Sequence, residues 1–385
     1  MKNTKKVLSM LMCLAMLLSM VACGETGKSE ASASAPMASE PAAVESAAPE
    51  ASAAEASAAE VSVEEASDPV EFSALDEVPE VQYPVTVTDQ AGRQVTIQAE
   101  PQKLVSGYYI STSTLIALGL QDKLVGIEAK ADKRAIYSLA APELISLPNV
   151  GTAKEFDLEG CAALEPDLVI LPMKLKDAAD TLEGLGINVL LVNPEDQNLL
   201  EGMISLIAEA TNTEAQAQKL LGFMDDQEAM LTEKLSGVET PSVYLAGNSN
   251  LLSTAGDAMY QSDMIRLAGG VNAAAEITDT YWAETSYEQL LAWNPDYIIL
   301  ASDAEYTVDD VLADPNLQDC AAVQNGHVYQ IPGKAEAWDS PVPSGILGAV
   351  WLADVLHPEV ISEADCNALF DEYYETFYGF SYSEN

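Results

Sequence analysis

WNPDYIIL, residues 293–300, repeats an instruction already given by LEPDLVIL at residues 164–171. The prolines, Pro166 and Pro295, stand 295 − 166 = 129 residues apart. A proline keeps the residue before it out of helical geometry, and the Leu, Val and Ile behind it suit a buried strand. The echo lengthens upstream, where FDLEGCAALEPDLVIL (156–171) aligns with TSYEQLLAWNPDYIIL (285–300). Asp157 and Ser286 are good helix N-caps, and Ser286 with Gln289 has capping-box spacing. Each copy therefore reads as cap, short helix, Pro-Asp stop and strand.

The order of elements around the copies repeats as well. In the first half KLVSGYY (103–109) predicts a strand, STSTLIALGL (111–120) a helix and KLVGIEA (123–129) a strand. A helix over 177–185 and the strand INVLLV (187–192) follow the first copy. In the second half PSVYLAGN (241–248) predicts a strand and 259–268 a helix; GHVYQIP (326–332) and a helix over 346–356 follow the second copy. Strands alternating with helices at this spacing mean parallel sheets with helices on both faces. The expected fold is α/β: two Rossmann-like lobes joined by a long rigid helix, with the ligand cleft between them.

The joining segment contains EDQNLLEGMISLIAEA and TEAQAQKLLGFMDDQEAMLTEKL. Thr213 and Gln216 have capping-box spacing, and Leu220, Phe223, Met224 and Leu231 mark one apolar face. With no Pro or Gly pair to loosen it, the segment predicts a stiff connection and small opening motions. Open parallel sheets bind ligands beyond the carboxyl ends of their strands, so the cleft between lobes is the expected site.

The 385 residues carry a net charge of −44, which opposes binding to a phosphate backbone. A basic head, MKNTKK, precedes an apolar run over 7–22 that ends at Cys23, the form of an export signal. Met20-Val21-Ala22-Cys23 resembles a bacterial lipobox, which makes Cys23 the expected lipidation site and mature N-terminus. The segment behind it is dominated by Ala, Ser, Glu and Pro and has too little apolar surface to fold, so it reads as a disordered acidic tether. Expected boundaries are a signal at 1–22, tether at 23–82, first lobe at 83–195, connecting helices at 196–238 and second lobe at 239–385. Of the remaining cysteines, Cys161, Cys320 and Cys366 have no metal-ligand spacing; they read as buried thiols, with a Cys320–Cys366 pair as the alternative.

Catalysis finds no support in the motifs. The two histidines, His327 and His357, are isolated and read as structural, and no nucleophile elbow, zinc-protease or phosphate-loop pattern is present. No enzymatic activity, no resident cofactor and no protein-bound metal are expected.

With these pieces in order, the chain resembles the bacterial extracellular receptors that deliver ferric siderophores, haem and vitamin B12 to ABC importers. The resemblance covers roughly 83–375 and rests on VTVTDQAGRQVTI, DLEGCAALEPDLVIL, AGDAMYQSDMIRLAGGVNAA, DCAAVQNGHVYQIPG and SPVPSGILGAVWLADVLHPE. In that family a glutamate on each lobe docks into arginine pockets of the permease. Glu159 and Glu288, each seven residues before its Pro, fall on those positions. Helix-dipole stabilisation alone also favours a carboxylate in a first turn.

The resemblance also implies ligand contacts. Trp282 matches a cleft aromatic of the B12 receptors, while Ala153 stands where those receptors carry a second Trp, which counts against cobalamin. Tyr108, Tyr109, Asn248, Trp338 and Asp339, in loops after strands, are further candidates, the aromatics suited to a flat or greasy chelate. Of the 14 Lys and Arg residues after Cys23, six lie in first-lobe loops or helix starts: Lys130, Lys133, Arg134, Lys154, Lys174 and Lys176. Lys130, Lys154 and Lys174 join the candidate set, because a basic lip on an acidic protein attracts an anion. The expectation is a lipid-anchored, monomeric receptor outside the cytoplasm, working with a permease and a cytoplasmic ATPase. Its expected cargo is a small-molecule metal chelate, first a ferric siderophore, then haem, a corrinoid or an oxyanion. A surface adhesin or sensor module is the alternative of another class.

Overall fold

The computed structural model describes residues 80–278, 280 and 282–385. The signal, Cys23 and nearly all of the tether lie outside the described residues. A hairpin of β1 (Val85–Thr88) and β2 (Gln94–Ile97) opens the fold. The first lobe follows as β3 (Leu104–Ser106), α1 (Tyr109–Ala117), β4 (Leu124–Ile127), α2 (Ala135–Ala140), α3 (Leu158–Ala163), β5 (Leu168–Pro172), α4 (Lys176–Gly184) and β6 (Asn188–Val192). Its sheet has strand order β4-β3-β5-β6, and every pairing is parallel.

Two helices, α5 (Gln197–Thr211) and α6 (Glu214–Lys234), form the strut. At 21 residues, α6 spans about 31 Å. The strut is broken at Asn212, which adopts a left-handed conformation (φ 60°). The expected Thr213–Gln216 capping box does not form. Thr213 Oγ1 instead sits 3.0 Å from Thr211 Oγ1, and only the Thr213 backbone carbonyl accepts from the Gln216 N–H.

The second lobe contains β7 (Ser242–Ala246), β8 (Ser253–Ala255), α7 (Tyr260–Leu267), β9 (Val271–Asn272), β10 (Trp282–Glu284), α8 (Tyr287–Trp293), β11 (Tyr297–Leu300), α9 (Val308–Leu312), α10 (Ala321–Asn325) and β12 (Val328–Gln330), closed by α11 (Gly345–Leu356) and α12 (Glu363–Tyr378). β9, β7, β11 and β12 pair in parallel. β8 and β10 add an antiparallel edge that the parallel-sheet expectation omitted. Those strands are three residues each, too short to register as an alternating pattern.

The duplicated segments occupy equivalent places, one in each sheet. α3 ends and Glu165 turns left-handed (φ 50°) before Pro166; α8 ends and Asn294 does the same (φ 46°) before Pro295. The following aspartates repeat their work. Asp167 Oδ2 accepts from the N–H groups of Gln102 (2.8 Å) and Lys103 (2.9 Å), and Asp296 Oδ2 from that of Ser242 (2.9 Å). Each aspartate thereby ties the start of its own strand to the start of the neighbouring one. The caps echo too: Asp157 Oδ1 accepts from Gly160 N–H at 2.8 Å, and Ser286 Oγ from Gln289 N–H at 3.2 Å. The Gln289 side chain donates to Glu276 rather than closing a capping box.

Alternate residues along the strands divide the interior into three clusters. Ile170, Leu190, Val243, Leu245 and Ile299 point into one core shared by both lobes, the strut and α12. Their neighbours Val169, Leu171, Val189 and Leu191 fill a core private to the first lobe, and Tyr244, Ala246, Ile298 and Leu300 one private to the second. Cys161, Cys320 and Cys366 are free and buried. His327 stacks on Tyr297 with ring centroids 4.5 Å apart, and His357 caps α11 with Nε2 3.3 Å from the Gly269 carbonyl.

Candidate functional site

The loops that leave the carboxyl ends of both parallel sheets meet between the lobes. On the first-lobe side, β3 stops at Ser106 and Tyr109 is already helical, so the chain turns within Gly107 and Tyr108. A Cβ at Gly107 would lie 2.6 Å from Leu171 Cδ2, so any larger residue here has to push that buried side chain aside. Tyr108 and Tyr109 pack edge to face with centroids 5.4 Å apart. α1 has no side-chain N-cap, and its buried Ser and Thr residues are bonded individually. Ser111 Oγ donates to the Tyr108 carbonyl, Thr112 Oγ1 to Glu128 Oε2 (2.7 Å), and Ser113 Oγ lies 2.9 Å from the Tyr378 hydroxyl of α12.

Glu128, just beyond β4, organises this wall. It is buried and also accepts from the Tyr137 hydroxyl at 2.6 Å. Arg134 Nε lies 3.3 Å from Glu128 Oε1, yet misaligned, so among the described residues it has no hydrogen-bond partner. The Arg134 guanidinium rests over the Tyr109 ring, 4.0 Å from its centroid. A half-buried arginine is thus held by one carboxylate and one aromatic face, with its Nε–H left unpaired among the described residues.

The opposite wall comes from the second lobe. Ser302 Oγ, past β11, donates to Asp339 Oδ1 at 2.6 Å, and Gln261 Nε2 donates to the Asp339 carbonyl. Ser344 Oγ donates to Glu336 Oε2 at 2.6 Å. Tyr109 hydroxyl reaches across to Ser340 Oγ at 3.3 Å. Burial pushes the carboxyls of Glu336 and Asp339 above their ordinary range. Tyr109, Lys133 and Arg134 face Asp303, Gly333 and Glu336 across a cavity of about 80 Å³.

The sequence candidates distribute unevenly. Tyr109 lines the cavity, and Tyr108 packs against it from the turn without lining the cavity itself. Trp282 is 41% exposed on β10, and its ring lies against Gly247 at the end of β7, where Asn248 is also exposed. Lys130 (left-handed, φ 69°), Lys154 and Lys174 are exposed, and among the described residues none pairs with a carboxylate. None of the three lines the 80 Å³ cavity. Trp338 is corrected: it is 1% exposed, donates Nε1–H to the Tyr374 hydroxyl and packs on Phe370 and Tyr382. Its place after a strand was legible, but the aromatic cluster on α12 that engulfs it was not. Asp339 is likewise buried and turned to Ser302. Arg134 was noticed in the basic lip without being singled out, and Glu128 was missed. A carboxylate directly after the apolar run LVGI was the available signal. Glu159 and Glu288 are exposed in the first turns of α3 and α8.

Comparison with known proteins then decides the family. The family model described as periplasmic binding protein matches residues 104–335, which include both copies of the repeat and the first-lobe wall of the cleft. The chain belongs to the periplasmic binding protein family. Among its relatives is the molybdate-binding protein MolA of Haemophilus influenzae, 27% identical over 323 residues, 77% of this chain and 91% of MolA. Another is YvrC of Bacillus subtilis, named as an uncharacterized ABC transporter substrate-binding lipoprotein, 28% identical over 73% of this chain and 88% of its own length. The structure of MolA bound to molybdate superposes with a TM-score of 0.69 at 25% identity, covering 77% of this chain and 99% of MolA. This periplasmic binding protein is a substrate-binding protein, and Lys133 and Arg134 line the cavity between its lobes.

Proposed function

We propose that the protein is the substrate receptor of an ABC importer and captures a compact anion between its lobes, a tetrahedral oxyanion of the molybdate class first. The observation that carries this reading is Arg134, stacked on Tyr109 beside an inter-lobe cavity of about 80 Å³, with its Nε–H lacking a partner among the described residues. A planar guanidinium presents paired donors at the spacing of two oxyanion oxygens, and stacking fixes its orientation before the ligand arrives. A cavity of this size suits a tetrahedral oxyanion better than a siderophore, which needs several hundred Å³. MolA, bound to molybdate in the same fold, supports the assignment. A second reading, an anionic iron chelate held at the cleft mouth, is favoured by the exposed ring of Trp282. In both, the tether lipidated at Cys23 keeps the receptor at the membrane, and Glu159 and Glu288 dock it on the permease.

Calorimetric titration of the full chain in detergent with molybdate, tungstate, a ferric siderophore and cobalamin separates these readings. Saturable 1:1 oxyanion binding is expected, weakened at least 100-fold by Arg134→Ala. Binding of the siderophore or cobalamin with no oxyanion heat would overturn the oxyanion assignment.

A further inference from the structure

A second cavity, of about 440 Å³, lies outside the cleft where the start of α5, the last turns of α6 and α7 come together. Its polar wall includes Gln197, Glu201, Glu228, Asp263 and Arg266, and its apolar wall Leu231, Leu235 and Leu267. Gln197 is only 7% exposed. Its Nε2 donates to Glu201 Oε1 at 3.0 Å, which leaves its Oε1 buried without a partner. Glu228 Oε1 is also buried without a partner. The nearest cation on this wall, Arg266, is committed to Asp263 and reaches toward Asp257. Two carboxylates and an amide oxygen thus converge with a single amide donor, Gln197 Nε2 on Glu201, which leaves Gln197 Oε1 and Glu228 Oε1 unsatisfied among the described residues. An unpaired buried acceptor is costly, so the arrangement calls for a ligand that brings N–H donors and positive charge.

We propose that this cavity is a binding site for a small protonated alkylamine, its ammonium held by Glu201, Glu228 and Gln197 Oε1 and its alkyl stem by the three leucines. A bare metal ion fits less well. Among the described residues no group of three metal-ligating side chains converges, and a leucine wall offers an ion nothing. An alkylammonium uses both walls: three donors for the acceptors, and methylenes whose burial contributes about 0.8 kcal/mol each. The α6 C-terminus alongside supplies the negative end of a helix dipole, offsetting the positive start of α5. Burial, and then for Glu228 the Glu201 charge, push both carboxyls upward against the opposing effect of the Gln197 amide.

The test is calorimetric titration of the full chain in detergent, without cleft ligand, using 1,4-diaminobutane, n-butylamine, 1-butanol and calcium chloride. Saturable 1:1 binding of the amines is expected, at least tenfold weaker in Glu228→Gln and unchanged in Arg134→Ala. Thr232→Lys places a tethered ammonium at an exposed position on the cavity rim and is expected to abolish amine binding while the chain stays folded. The proposal is overturned by absent saturable heat at millimolar amine, by equal binding of 1-butanol or calcium, or by amine affinity unaltered in both variants. Because no cleft ligand enters, the outcome is independent of what the cleft binds.

Discussion

Glu336 shows how one residue couples the cleft to stability. Burial raises its carboxyl above the ordinary value of 4.5, opposed by the hydrogen bonds of Ser344 and Ser113 and by the charge of Arg134. A carboxyl with a raised folded pKa holds its proton better folded than unfolded. Its contribution is therefore fully present below the ordinary carboxylate range and is lost as pH rises through the raised value. Glu336→Gln keeps an acceptor for Ser344 while removing the charge. The variant is expected to match the parent below pH 4.5 and to exceed it at pH 7.5 by about 1 kcal/mol, roughly 2–4 °C in Tm. Thermal unfolding of both proteins across that range checks it; an unchanged or lower Tm at pH 7.5 would show that attraction to Arg134 outweighs the desolvation cost. Arg134, whose charge lowers the Glu336 carboxyl, is also the residue proposed above to hold the anion.

Among the elements, the cap–helix–turn–strand unit was the most legible and the most physically determined. Asp157 and Ser286, two different residues, perform one task, and the residue three places on adapts to each. A Cβ at Gly160 would meet the Asp157 carboxylate at 2.3 Å, whereas the smaller Ser286 tolerates Gln289. Asp157→Ala is expected to cost about 1 kcal/mol and Asp157→Ser nearly nothing, read by denaturant midpoint at constant slope. The same unit explains what could be read in advance. Both copies, the parallel β-strand pattern and the strut were visible because each rests on local periodicity or on Pro-Asp turns. The antiparallel edge of β8 and β10 was invisible because three-residue strands carry no period. The failed capping box at Thr213 has the right letters, but its hydroxyl finds a neighbour in Thr211 first. Candidate site residues fared according to whether their environment is local. Tyr108 sits in a short turn and Tyr109 opens α1, both set by nearby sequence, while Trp338 is decided by Phe370 and Tyr374 of α12, 32 and 36 residues later.

At the scale of the whole molecule, the shared core argues against a loose hinge. Inward residues of both sheets meet the strut and α12 in one cluster, and the Ser113–Tyr378 and Tyr109–Ser340 bonds cross between elements of the two halves. Separating the lobes widely would open that apolar contact to water, at about 25 cal/mol per Å². Closure on a ligand must then be small, and a permease has to recognise the receptor by a nearly fixed spacing of surface features rather than by a large change of shape. Glu159 and Glu288 are suited to that role, because each is exposed in the first turn of a helix pinned by the duplicated cap and Pro-Asp turn. Neither helix contributes to the cleft wall, so docking and capture are separable. Glu159→Ala with Glu288→Ala is accordingly expected to reduce uptake into cells or proteoliposomes at least tenfold while leaving ligand affinity of the purified receptor unchanged. Each single substitution should fall between, since one lobe remains engaged. Uptake at the parental rate in the double variant would remove the docking role and leave both glutamates as helix-dipole partners alone.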